Sequence, residues 1–249
     1  MTTKQKQPSE EQFREFKKEL QKKLSEELRA QPDVNLATWF GRHKEAVEEF
    51  GRRISEFKGL NEIIRVNDIG LGLRKSKIEI VGVGEVKTNI PYEPFELLNQ
   101  ARNAGIEPEQ IILYSADIRT DVLLSLKSTK TIKMPAGLED IEYFGNFFPE
   151  FHRKDEKMVS VEIPEEWRKR IVLLKLNILE QPTPVKAHIT FSYIPEVESR
   201  HECFENLVAS TRRGGYVFCG TVIWSDETLK NLNVERIPVT NYRPIFHLE

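Results

Sequence analysis

The chain has 249 residues, with 37 Lys and Arg against 39 Asp and Glu and a formal charge of −2. That balance excludes a protein that coats nucleic acid through bulk charge, and no apolar run approaches the ~18 residues needed to span a bilayer. Cys203 and Cys219 have neither CxxC spacing nor a histidine partner at metal-ligand spacing, so they read as buried thiols rather than as a zinc site or a disulfide framework.

Met1–Gln7 leads into Glu-rich sequence instead of an apolar secretory segment, so the chain is expected to stay in the cytoplasm. Ser9 with Gln12 forms a capping box, and Phe13, Phe16, Leu20, Leu24 and Leu28 follow at spacings of three and four, so a first helix is expected to end near Pro32. Its narrow stripe can pack on the chain's own core, pair with a second copy, or dock on a protein partner through residues 9–30. A second helix is capped by Asn35 and places Leu36, Trp39, Phe40, Val47, Phe50, Ile54 and Phe57 on its apolar positions before Gly59. It also carries Glu45, Glu48 and Glu49.

The stretch from Asn67 to Asn89 holds the chemistry. Asp68 opens an apolar run at Ile69–Leu73, Arg74-Lys75-Ser76-Lys77 reads as a polar turn, and Ile78–Glu85 returns as a second strand. Side chains alternate along a strand, so Glu85 and Lys87 share a face. With Asp68 on the neighbouring antiparallel strand, two carboxylates and an ammonium would converge. Pro91–Ala104 reads as a helix closed by Gly105, and Gln110–Ser115 as a buried strand.

This order, with an acid at the head of one strand and E-x-K on the next, resembles the PD-(D/E)xK nucleases of the restriction-endonuclease-like superfamily. The resemblance implies an α/β core that cleaves nucleic-acid phosphodiester bonds with Mg²⁺, in a restriction or antiviral-defence setting. Asp68 and Glu85 would be metal ligands and Lys87 the water-orienting or charge-stabilising group, with Glu48 or Glu49 of the preceding helix adding a metal contact. The family's proline is Asn67 here, and Gly70, Gly72, Gly82 and Gly84 interrupt both strands. Asp68 as a turn cap and Glu85 with Lys87 as an exposed strand pair account for the same residues.

Arg65, Arg74, Lys75, Lys77, Lys87, Arg102 and Arg119 cluster in sequence around these positions, Lys127, Lys130 and Lys133 continue the trend, and Arg74, Lys75, Lys77, Arg102 and Arg119 are the candidates for substrate phosphates. A solvated surface would carry the same charges. Asp117, Arg119 and Asp121 either border an active site or form an acidic helix start.

After the aromatic stretch Tyr143–Pro149 the pattern changes to short strands with turn signals: Met158–Ile163, Arg170–Leu179, Val185–Tyr193, Gly215–Trp224 and Val234–Val239. Alternation in Val185–Tyr193 reads as a half-buried strand, and the whole as an antiparallel β-sandwich. The runs GGYVFCGTVIWSD and VKAHITFSY are faintly similar to sandwich modules appended to subtilisin-like proteases. His152, His188 and His201 adjoin no nucleophile and read as surface or strand residues. The expected class is therefore α+β: an N-terminal arm at 1–33, an α/β nuclease-like domain at 34–150 and a β-sandwich at 151–249. A non-catalytic interaction or accessory subunit, binding through the N-terminal helix and the sandwich, is the alternative.

Overall fold

The run beginning at Ile64 forms the strand around which the molecule is arranged. In the computed structural model, residues 44–71, 76–80, 84–88, 91–135, 146–154, 158–194, 200–219, 224–237 and 245–249 are described. The expected helix at 9–30, with its apolar stripe, lies outside them.

Helix α1 (Lys44–Ser55) buries Val47, Phe50 and Ile54, the face its spacing predicts, together with Ala46. Strand β1 (Ile64–Ile69) follows. Strands β2 (Ser76–Ile80) and β3 (Gly84–Thr88) then form a hairpin. Helix α2 (Glu93–Asn103) has a proline in its first turn and ends as expected at Gly105, which takes φ 75°. There the Gly105 N–H donates to Arg102 O and the Ile106 N–H to Ala101 O, the paired bonds of a glycine-closed helix. Next come β4 (Ile111–Asp117), α3 (Thr120–Ser128), β5 (Thr131–Pro135), β6 (His152–Lys154), β7 (Met158–Glu162), α4 (Glu165–Arg168) and β8 (Ile171–Lys175). The chain closes with β9 (Ala187–Ser192), α5 (His201–Ala209), β10 (Thr211–Phe218), α6 (Asp226–Asn231), β11 (Val234–Ile237) and β12 (Ile245–Leu248).

Seven strands form one sheet in the order β11-β12-β10-β9-β1-β4-β8. Strands β8, β4, β1, β9 and β10 pair in parallel, and β12 is antiparallel to both β10 and β11. One core joins Phe50 of α1, Phe95 and Leu98 of α2 and Val122 of α3 to Val66, Leu113, Phe191 and Phe218 of the sheet. A second core joins Phe204 and Leu207 of α5 and Leu229 of α6 to Ile69, Ala116, Val217 and Phe246. The central strands are thus covered on both faces, as parallel strands are.

This overturns the expected α+β class with an antiparallel β-sandwich. Strands from both halves of the chain enter a single, mostly parallel sheet flanked by helices, and the described residues contain no sandwich. Strand β9 shows why the sequence misled. Its alternation looked like one wet face, yet all six residues are buried. Two of its polar side chains face protein partners instead: Thr190 accepts from the Thr211 hydroxyl at 2.7 Å, and His188 Nδ1 accepts from the Arg65 N–H at 3.0 Å.

Candidate functional site

The chain leaves β1 for β4 and then β8 on one side, and returns to β9 and β10 on the other. Neighbouring strands therefore lead their connections apart at β1/β9, the kind of switch point beyond whose carboxyl ends open α/β sheets bind ligands.

Gly70 ends β1 in the left-handed region at φ 81°, its N–H donating to Ala116 O at 2.8 Å. A Cβ there would lie 2.2 Å from Ile194 Cγ1, so glycine lets the segment after β9 close over the end of β1. Asp117, the last residue of β4, accepts from the Arg119 N–H at 2.8 Å and from the backbone N–H of Leu71. Burial nevertheless raises its carboxyl to about 6, against the pull of those N–H groups and of the Arg119 charge.

Asp68 is fully buried one residue before the end of β1, in register with Ser115 of β4 and Phe191 of β9. Burial raises its carboxyl to about 7, and the charges of Asp117 and Glu96 push in the same direction. No fixed donor serves either of its oxygens. Its contact with Glu93 is therefore a hydrogen bond only when one of the two carboxyls holds a proton. Glu93 and Glu96 are both buried in the first turn of α2, where acids suit the helix dipole. The hydroxyl of Ser115, in register with Asp68, is buried here without a hydrogen-bond partner, as is that of Ser192, in register with Ile69 on the other face of the sheet.

The carboxyl edge of β1 and β4 thus gathers four acids. In dinucleotide-binding sheets the first helix offers bare N–H groups to a pyrophosphate. Here Glu93 and Glu96 occupy that turn, so a phosphate would be repelled and a cation favoured. An acid at the end of the second strand is the group that holds a ribose diol in such sheets, and Asp117 stands there.

The structure places the residues expected to act together in different sheets. Asp68 lies on β1, whose two neighbours are β4 and β9, whereas Glu85 and Lys87 lie on β3, which among the described residues pairs with β2 in a separate sheet. Lys77 and Lys87 are register partners within that hairpin. Glu48 is exposed on α1, and Arg74 and Lys75 lie outside the described residues. Arg102 pairs with Glu150 over the Phe148 ring, and Arg119 is buried in a two-point pair with Asp121 at 3.1 and 2.7 Å. Both guanidiniums therefore serve internal contacts. Among the described residues no three His, Cys, Asp or Glu side chains are placed to hold a metal. The expected strand at Ile69–Leu73 is also displaced, because the positive φ of Gly70 stops β1 at Ile69.

Glu93, Glu96, Ser115 and Ser192 were missed. The signal for this edge was Asp68-Ile-Gly70 closing one apolar run and Asp117 closing the next, which marks two strand ends rather than a strand head. The hairpin between β1 and α2 disguised it by separating the glycine turn from its helix.

No family model matches the sequence, and no curated protein matches it. Solved structures do. A magnesium protoporphyrin IX methyltransferase from Synechocystis with bound SAM is 9% identical, over 82% of this chain and 77% of that one, with a TM-score of 0.42. An N-methyltransferase from Bradyrhizobium japonicum is 8% identical over 83% and 97%, with a TM-score of 0.39. A SAM-dependent methyltransferase from Geobacter sulfurreducens in complex with S-adenosyl-L-homocysteine is 13% identical over 84% and 69%, with a TM-score of 0.40. None of the three is a nuclease, and at these identities and TM-scores the site is read from its own geometry. That geometry overturns the PD-(D/E)xK resemblance and with it the Mg²⁺ cofactor and the expectation of a hydrolase in antiviral defence: the acid of β1 and the E-x-K of β3 occupy different sheets.

Proposed function

We propose that the carboxyl edge of β1, β4 and β9 binds S-adenosylmethionine and that the chain is a methyltransferase. The observation that carries this reading is the pairing of a strand-end acid, Asp117, held by two backbone N–H groups, with a buried cluster of three further carboxyls where a dinucleotide site would present helix N–H groups. Of ribose-bearing ligands, one with a sulfonium and an ammonium in place of phosphates suits that charge. Asp117 would hold the ribose hydroxyls, and Asp68, Glu93 and Glu96 would supply the negative field. When bound, this cofactor supplies an activated methyl group. The chain's part is to position it and to exclude water behind Gly70 and Ile194. The same reading places the protein in the cytoplasm, where the buried thiols Cys203 and Cys219 stay reduced.

Calorimetry with S-adenosylhomocysteine and S-adenosylmethionine tests it. Asp117→Ala should weaken both by ~10–100-fold, the loss of a charge-assisted hydrogen bond. Absence of binding by the folded wild-type chain at millimolar ligand would sink the reading.

A further inference from the structure

A cavity of about 390 Å³, whose lining includes none of the four carboxyls, is formed by Phe95 of α2, Leu126 and Lys127 of α3, Thr129, Glu165, Arg168 and Lys169 around α4, and Ile171 and Leu173 of β8. That size falls within the range of small-molecule sites. Its floor is apolar, since Phe95 and Leu126 are buried and Ile171 and Leu173 pack against the first core.

The rim is cationic. Lys127 is exposed, and Arg168, which lines the cavity, is half-buried with its Nε donating to Ile163 O at 3.1 Å. Glu165, the single acid of the lining, is already paired with Lys169 at 2.8 Å. Its carboxyl is held below the usual range by that contact first and then by the charges of Arg168 and Lys130. The Thr129 hydroxyl donates to Ser125 O at 2.9 Å and closes the helix rather than the rim. An apolar floor beneath Lys127 and Arg168 matches a ligand with a short hydrocarbon body and an oxyanion head.

We propose that this cavity is a binding site for an amphipathic anion, a carboxylate or phosphate monoester carried on a short hydrocarbon body. Calorimetry on the full chain with octanoate, octyl phosphate, octanol and inorganic phosphate tests it. At least one of the two amphipathic anions should bind, and the tighter one names the head group; octanol and inorganic phosphate should each bind at least ~10-fold more weakly, lacking the charge or the body. Lys127→Gln alone should weaken the anion, and the double substitution Lys127→Gln/Arg168→Gln, which also removes the Nε contact to Ile163 O, should weaken it by ~10-fold or more, whereas Lys230→Gln on α6, which packs on the second core, should leave it unchanged. Octanol binding as well as octanoate, no binding of either amphipathic anion, or equal binding to the rim variant would each overturn the proposal.

Discussion

At the scale of single residues, the most consequential group is Asp68. Its carboxyl is raised from the ordinary value of 3.8 to about 7, chiefly by burial. An acid whose folded value lies above its unfolded value keeps its proton longer in the native state. The resulting cost is absent below the unfolded value, near pH 4, and grows until it is complete above pH 7. Asp68→Asn removes the charge and keeps the shape. The variant should therefore gain on the wild type as pH rises from 5 to 8, by on the order of a few kcal/mol at the top of that range. Thermal melts of both proteins across those pH values check this, and a gap that stays constant with pH would show that the Asp68 carboxyl is not raised in the native state. Comparison with the wild type is needed because His188 has the opposite sign. Burial lowers its value below 6.5, so its contribution is lost as pH falls.

At the scale of elements, the join between β1 and the loop after it depends on Gly70 and Asn67. Gly70 combines a left-handed φ with a Cβ position occupied by Ile194. Gly70→Ala should cost ~1–3 kcal/mol of stability, and adding Ile194→Ala should recover only the steric part, because the backbone conformation stays strained for any L residue. Denaturant unfolding of the single and double variants separates the two contributions. Full recovery in the double variant would mean that φ carries no cost here. Asn67, at the position of the nuclease family's proline, binds elements together through its amide nitrogen, which donates to Thr183 Oγ1 at 2.9 Å, Ser210 O at 3.0 Å and Val185 O at 3.2 Å. These acceptors lie in the approaches to β9 and β10. A buried asparagine with three partners ties β1 to the returning half of the sheet, a role that proline could not fill.

At the scale of the whole molecule, the sheet interleaves the two halves of the chain. β1 lies between β4 and β9, and β8 at one edge has β4 as its sheet partner. Separated at residue 150, the later half would keep β8, β9 and β10 but lose β4, the partner of β8, and β1, one of the two partners of β9. The segment 151–249 alone should show no cooperative unfolding transition, whereas residues 36–249 should unfold in one, with calorimetric and van't Hoff enthalpies in agreement. An independently folded later segment would contradict this. Among the described residues no helix is long and apolar enough to cross a membrane.

The sequence by itself determined what is local. The entry at Pro91-Tyr92 and the closing Gly105 bracketed α2, the spacing of Val47, Phe50 and Ile54 set the buried face of α1, and Gln110–Ser115 announced a buried strand, because these signals act over one turn of helix or one short run. The burial of Cys203 and Cys219 was legible in the same way. Only the tertiary structure decided which strands are neighbours and in which direction they run. Asp68 meets Ser115 and Phe191 in register, and nothing in the pattern around residue 68 encodes partners so far along the chain. A local reading paired Asp68 with Glu85 because a hairpin is the shortest closure and the least costly in chain entropy. The fold overruled it by placing β1 at the centre of a parallel sheet, whose two covered faces bury far more apolar surface than a hairpin can. The charge of the site followed from that choice: four acids from β1, α2 and β4 become one buried cluster only once the sheet has brought their strand ends together.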